Sequence, residues 1–153
     1  MPAHYNSNPE PWLSLIMDHP RKLVFTSCLP IRWGDMDAMG HVNNTVYFRY
    51  AEQVRIEWLE SLGFSTGQAR DQSPVIVNAS CTFLIPLTYP GTIEVRMYTG
   101  HAGRSSLPTY FDMRPRGDEK IYAEGAAKII WMNPGTGKSI PLPDAMRRLA
   151  ADA

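Results

Sequence analysis

The sequence predicts an α+β domain in which one long helix lies on one face of an antiparallel sheet. Three observations support this class: an early strand pattern, one convincing helical stripe, and a later run of strand patterns separated by turn residues. The 153 residues match the usual size of a single domain. We therefore expect an N-terminal extension over residues 1–22 and one domain over residues 23–153.

The first strand is predicted over residues 23–33, because apolar side chains occupy alternate positions there. Pro30 cannot donate a hydrogen bond to a neighbouring strand, so this strand should lie at an edge or carry a bulge. A polar turn that contains glycine follows over residues 34–41.

The long helix is predicted over residues 45–62, where apolar residues recur at steps of three and four. Asn43 or Asn44 can cap its first turn through a side-chain oxygen, and Gly63 suits the left-handed position after its last turn. The apolar stripe consists of Val46, Tyr47, Tyr50, Val54, Trp58 and Leu62.

Further strands are predicted over residues 74–86, 92–100, 107–114 and 120–132, with Gly, Pro, Asn or Asp in the turns between them. Small residues at positions 125–127 would let a helix lie close on the sheet, and residues 143–149 predict a short final helix. Cys28 and Cys81 are too few for a disulfide framework, and we interpret both as small buried hydrophobes.

The composition excludes several classes of protein. Fifteen basic and fifteen acidic residues leave no formal net charge, which argues against nucleic acid as the main ligand. No apolar run approaches the roughly 20 residues of a membrane span, and no basic segment followed by an apolar stretch suggests a secretory signal. We expect a cytoplasmic protein with reduced cysteines, and no metal site, because the histidines and cysteines are not clustered at ligand spacing.

The unusual segment is residues 35–44, D-M-D-A-M-G-H-V-N-N, which lies between an edge strand and a helix N-terminus. The free N–H groups of a first helical turn can receive a developing oxyanion, and a carboxylate just upstream can act as a general base or nucleophile. The alternative for Asp35 and Asp37 is that they only bind local backbone in the turn. His41 can equally be a surface histidine, and the asparagines can serve as caps.

At these residues the chain resembles the hotdog-fold acyl-CoA thioesterases, in particular the 4-hydroxybenzoyl-CoA thioesterase-like enzymes and the bacterial long-chain acyl-CoA thioesterases. The likeness spans about residues 23–146 and includes the turn at residues 104–106. It depends on residues 32–44, R-W-G-D-M-D-A-M-G-H-V-N-N, and on four helix residues: Tyr47, Tyr50, Glu52 and Arg55.

The resemblance implies a hotdog fold, an antiparallel sheet wrapped around the long central helix. It also implies dimers, often paired into tetramers, with active sites at the dimer interface. Asp37 matches the catalytic carboxylate and Asp35 would be structural, whereas residues 41–44 match the stretch whose amides face the thioester carbonyl. No cofactor is implied beyond the coenzyme A of the substrate.

We therefore predict an acyl-CoA thioesterase in which Asp37 and His41 are catalytic. The predicted substrate-binding residues are Asn43, Asn44, Tyr47, Arg104 and Ser106. Arg104, Lys128 or Lys138 can supply cations for the CoA phosphates. Two alternatives stay open: an enoyl-CoA hydratase that uses an Asp and a His, and a non-catalytic acyl-CoA-binding domain.

The assembly prediction rests on apolar residues that alternate on both faces of the strands at 74–86 and 120–132. A monomer would leave one such face in water, which soluble monomers tend to avoid. We predict at least a homodimer and favour a homotetramer, with Asp37 close to the subunit boundary.

Overall fold

The computed structural model describes residues 20–64 and 71–152, and within them it confirms the α+β class and the hotdog arrangement of one antiparallel sheet and one long helix. Residues 1–19 of the predicted extension lie outside the described residues, and Lys22 already begins the first strand. The elements are β1 (Lys22–Ile31), a 3-10 turn (Trp33–Asp35), α1 (Asn44–Ser61), β2 (Ser73–Phe83), β3 (Gly91–Thr99), β4 (Ser106–Pro115), β5 (Ala123–Asn133), β6 (Lys138–Ser139) and α2 (Asp144–Arg147).

The main sheet has the strand order β1-β3-β4-β5-β2, and the short β6 pairs with β5. β1 is therefore an edge strand, and its register with β3 shifts between Leu23 and Phe25. The edge position predicted from Pro30 is thus confirmed; the strand also carries a bulge, but Pro30 itself pairs with Thr92 in regular register. At the other edge, β2 shows a second register shift between Ile76 and Asn78.

Helix α1 begins and ends one residue earlier than predicted. Asn43 is the N-cap, because its Oδ1 accepts hydrogen bonds from the Thr45 N–H (3.0 Å) and the Thr45 hydroxyl (2.6 Å). Gly63 follows the last turn with a φ of +81°, as the capping signal predicted. The helix residues buried against the sheet are Tyr47, Tyr50, Ala51, Val54, Trp58 and Leu59.

Two expectations about buried residues were wrong. Cys28 is exposed, because it lies opposite Glu94 on the sheet face turned away from the helix. Gly125 makes room for a strand neighbour and not for a helix: a Cβ there would overlap the Ser80 carbonyl oxygen and the Phe111 ring. Among the described residues, no helix is long and apolar enough to cross a membrane.

The sheet has two ends that matter for function. We call the end with residues 32–43, 84–90 and 116–122 the loop end, and the end with residues 100–105 and 134–137 the hairpin end. The nine residues of β3 connect them, which separates the two ends by about 30 Å.

Candidate active site

The segment between β1 and α1 forms a tight loop at the loop end. Met36 and Val42 pair as an antiparallel bridge, and inside it the Asp37 N–H donates to the His41 carbonyl oxygen (2.9 Å). Gly40 has a φ of +81°, a conformation that glycine adopts without strain. The loop therefore holds Asp37 immediately in front of the helix N-terminus.

The Asp37 carboxylate uses its two oxygens differently. Oδ1 accepts the Met39 N–H at 2.9 Å, a local turn contact of the kind that the sequence left open. Oδ2 lies 3.4 Å from the Asn43 side-chain nitrogen, a long contact that leaves this oxygen free for other partners. The turn contact thus orients the carboxylate through Oδ1 and leaves Oδ2 available.

Asp35 is held by more hydrogen bonds from outside its own turn than Asp37. Its Oδ2 accepts hydrogen bonds from the Arg32 N–H (2.8 Å) and from the Tyr50 hydroxyl (2.7 Å). Its carbonyl oxygen accepts the Asn43 N–H at 2.9 Å. Burial and the adjacent Asp35 carboxylate raise the pKa of Tyr50, so the phenol stays protonated and donates.

The helix N-terminus offers one amide beside Asp37. Four neighbouring amides have acceptors: Val42 N–H to Leu87 O, Asn43 N–H to Asp35 O, Thr45 N–H to Asn43 Oδ1, and Val46 N–H to Asn43 O. The Asn44 N–H, by contrast, has no acceptor among the residues that the structure describes. Asn44 is exposed and is the first helical residue, where the helix dipole is positive.

Tyr47 and Leu87 fasten the loop to the body of the protein. Tyr47 is buried, and its hydroxyl oxygen accepts the Leu87 N–H at 3.1 Å. The Leu87 carbonyl oxygen accepts the Val42 N–H in turn, so Leu87 joins the helix to the loop. Our sequence reasoning missed Leu87, because the connection over residues 84–90 also holds Leu84 and Ile85, and nothing local marks one of these apolar residues as the anchor.

The remaining loop residues face solvent. His41 is exposed, and within the described part of the chain its imidazole has no hydrogen-bond partner. Trp33 and Met39 are 78% and 81% exposed, so large apolar side chains flank the loop. We refer to Trp33 and Met39 as the apolar rim.

The structure does not bring Arg104 and Ser106 together with Asp37 in one chain. Both lie at the hairpin end, about 30 Å along the sheet from the loop end. The Arg104 carbonyl oxygen is held there by the Leu142 N–H and by Arg147, and Ser106 begins β4. Lys138 begins β6, and Lys128 is exposed on β5.

An oriented carboxylate beside a free amide at a helix N-terminus is an arrangement suited to acyl transfer. Comparison with protein families agrees: residues 31–149 match the model of the thioesterase-like superfamily. The chain belongs to this superfamily. The predicted hotdog thioesterase resemblance is thereby confirmed, as is, at the level of the family, the class of thioester hydrolase.

Individual relatives give the same result. The chain is similar to the PA2801 protein of Pseudomonas aeruginosa, described as a candidate thioesterase, with 39% identity, coverage of 83% of this chain and 98% of that one, and a TM-score of 0.80. It is also similar to a candidate acyl-CoA thioesterase from Xanthomonas campestris, with 29% identity, coverage of 74% and 96%, and a TM-score of 0.68. A candidate esterase from Aquifex aeolicus is 38% identical over 69 residues, which are 44% of this chain and 54% of that protein, so the chain matches only about half the length of this relative.

Proposed function

We propose that the chain hydrolyses acyl-CoA thioesters to a free acid and coenzyme A, with Asp37 and the Asn44 N–H as the reacting groups. The observation that supports this proposal best is that the open oxygen of Asp37 and the free amide of Asn44 flank the same helix N-terminus. The similarity to the Xanthomonas campestris protein supports acyl-CoA as the substrate class.

The chemistry needs little more than these two groups. The thioester carbonyl oxygen gains negative charge in the transition state, and the Asn44 N–H and the helix dipole stabilise that charge. The Asp37 carboxylate either takes a proton from the attacking water or attacks the acyl carbon itself. Because a thiolate leaves without strong acid assistance, we propose no metal and no cofactor beyond the coenzyme A of the substrate.

We propose supporting roles for the side chains around the loop. His41 lies at the mouth of the site, where its exposed imidazole can reach a bound substrate or a water molecule. The apolar rim offers a surface for the acyl group. Tyr47 contributes indirectly, because its hydroxyl holds Leu87 against the loop and its ring packs edge-on against Phe83, with 5.0 Å between the ring centroids.

We further propose that two copies complete the site. The free edge at β2 carries exposed apolar side chains, Val75, Val77 and Phe83, which a second copy would cover. Antiparallel pairing of β2 with the β2 strand of a partner would place the partner's hairpin end beside this chain's loop end. Arg104 and Ser106 of the partner subunit would then reach the phosphates and the pantetheine arm of a substrate bound at Asp37. Pairing of two such dimers into a tetramer stays a prediction.

One experiment separates the proposed function from its alternatives. Purified protein is mixed with aromatic, medium-chain and long-chain acyl-CoAs, and free thiol is measured, while a parallel sample with crotonyl-CoA is followed at the enoyl absorbance. Calorimetry measures acyl-CoA binding. Thiol release from a saturated acyl-CoA supports the thioesterase. Hydration of crotonyl-CoA without thiol release identifies a hydratase, and tight binding without either reaction identifies a binding domain.

A further inference from the structure

We propose that Tyr50 is a positioning residue for the reaction: through Asp35, it sets the Asp37 loop against the helix N-terminus. This inference rests on the proposed function, because it assigns Asp37 and the Asn44 amide as the reacting groups. The sequence pattern places Tyr50 in the apolar stripe, and the family resemblance includes it beside Tyr47, but neither assigns it a role.

The geometry of this connection is specific. Tyr50 is 6% exposed and lies on the face of α1 that packs against the sheet, so its ring is fixed by the core. Its hydroxyl donates to Asp35 Oδ2 at 2.7 Å, and the same oxygen accepts the Arg32 N–H at 2.8 Å. One carboxylate oxygen therefore joins the end of β1 to the body of the helix.

Asp35 in turn controls both reacting groups. It lies two residues before Asp37, and its carbonyl oxygen accepts the N–H of Asn43, the residue before Asn44. Of the contacts that Asp37 makes itself, those to Met39 and His41 are internal to the loop, and the one to the helix cap, Asn43, is long at 3.4 Å, so they hold its distance from the helix only weakly. The Tyr50–Asp35 hydrogen bond joins the loop to the body of the helix and so limits how far the loop can move relative to it.

The loss of rate expected without the Tyr50–Asp35 hydrogen bond follows from the precise geometry that catalysis demands. Reacting groups must be held within about 0.5 Å, and a displacement of about 1 Å can cost on the order of a hundredfold in rate. Removal of the Tyr50 hydroxyl leaves the Asp35 carboxylate bound to the Arg32 N–H and the Asp35 carbonyl bound to the Asn43 N–H, but the carboxylate is no longer bound to the body of the helix. The loop then samples positions in which Asp37 and the Asn44 amide do not face the same carbonyl.

The chain offers a matched control for the test. Tyr98 also donates its hydroxyl to an aspartate, Asp112, at 2.8 Å, but it lies on the sheet face turned away from the helix. Tyr50→Phe and Tyr98→Phe therefore delete the same kind of bond, one beside the site and one remote from it. Both variants keep the ring and should fold, which thermal unfolding checks.

We expect Tyr50→Phe to lower kcat for thiol release by about tenfold or more, with KM within about twofold of wild type. We also expect faster amide hydrogen exchange at Asp37 and Asn43. Tyr98→Phe should change none of these quantities. If Tyr50→Phe fails to fold, Asp35→Ala removes the same bond from its other partner, and Asp35→Asn should restore activity because it keeps an acceptor oxygen.

The two possible failures are distinguishable. If wild-type protein releases no thiol from any substrate, the proposed function fails, and hydrogen exchange still decides whether Tyr50 orders the loop. If wild type is active and Tyr50→Phe matches Tyr98→Phe in both kcat and hydrogen exchange, the positioning role of Tyr50 is wrong.

Discussion

Asp35 and Asp37 show how two like residues acquire different roles from their surroundings. Asp35 Oδ2 accepts two hydrogen bonds, one of them from the buried Tyr50 hydroxyl, whereas Asp37 accepts a turn amide on one oxygen and leaves the other open. From the residues alone, turn formation was an equal interpretation for both acids. The family resemblance assigned them different roles, and the position of Tyr50 in space, which the sequence does not contain, gives the physical reason.

A third acidic residue, Glu124, has an unusual environment on the sheet face turned away from the helix. Glu124 is 2% exposed and lies opposite Asp112, and its Oε1 has no hydrogen-bond partner within the described residues. Burial raises the pKa of Glu124; the charge of Arg21 opposes this effect, and the Asp112 carboxylate adds to it. Asp112 itself is compensated by an ion pair with Arg114.

This environment predicts a pH-dependent stability. The folded state holds the Glu124 proton more tightly than the unfolded state does. The free energy of unfolding is therefore highest while Glu124 is protonated, at low pH, and it falls as the pH rises from the ordinary range of a glutamate through the raised pKa of Glu124 in the folded state. Glu124→Gln mimics the protonated form. We expect it to raise Tm above that of wild type at pH 8, with the difference vanishing near pH 4.

The control is Asp152→Asn, which neutralises an exposed carboxylate and should leave the pH dependence of Tm as in wild type. A Glu124→Gln protein that melts below wild type at pH 8 would show that the ionised carboxylate is stabilised by contacts and that this account of its burial is wrong.

At the scale of elements, local signals predicted most of the fold. The helix was placed within one residue because its periodic stripe and both of its end signals, Asn43 and Gly63, lie in adjacent sequence. Strand ends were less accurate. The strand predicted to reach residue 86 ends at Phe83, since the Leu84 and Ile85 amides both donate to the Tyr122 carbonyl oxygen and leave the ladder.

The contacts that shape the site are the ones that the sequence could not predict. Leu87 and Tyr47 are 40 residues apart, and the Tyr50–Asp35 bond joins residues 15 apart in different elements. Motif reasoning named the asparagines and Asp37, but it could not say which amides have acceptors. The structure leaves the Asn44 amide open, whereas the Asn43 amide, named equally from the sequence, is bound to Asp35.

The helix N-terminus carries its own prediction. Asn44 is the first helical residue, a position that accepts proline, and Asn43 already has the extended ψ of 138° that a following proline requires. Asn44→Pro therefore deletes the N–H while preserving the helix. We expect kcat for thiol release to fall on the order of a hundredfold or more, with little change in Tm.

Asn44→Ala is the matched variant, because it removes the side chain and keeps the backbone N–H. It should retain most of the activity. Equal losses in the alanine and proline variants would assign the function to the side chain and contradict the oxyanion role of the amide.

At the scale of the whole molecule, the two edge strands differ in what they expose. The described part of β2 carries Val75, Val77 and Phe83 on or beside its free edge, and Val77 is 51% exposed at the bulge. β1, at the opposite edge, exposes Leu23, also at a bulge. We expect a second copy to cover β2 and to bring Arg104 to the neighbouring site.

Charge on an edge strand blocks strand pairing, so Val77→Lys should prevent the proposed pairing of β2 with a second copy. We expect light scattering to give a particle near the 17.2 kDa of one chain, together with loss of thiol release. Leu23→Lys places the same charge on the other edge and should leave both mass and activity unchanged. A Val77→Lys monomer with full activity would contradict the shared site.

The catalytic role of Asp37 is tested by comparing thiol release by Asp37→Asn with that by Asp118→Asn. The two aspartates are matched, since each accepts through Oδ1 the N–H of the residue two positions later at 2.9 Å, and only Asp37 faces the helix N-terminus. We predict that Asp37→Asn lowers kcat by roughly a hundred- to ten-thousandfold with Tm and acyl-CoA binding preserved, whereas Asp118→Asn keeps wild-type turnover. Wild-type turnover by a folded Asp37→Asn protein would show that Asp37 is not a reacting group.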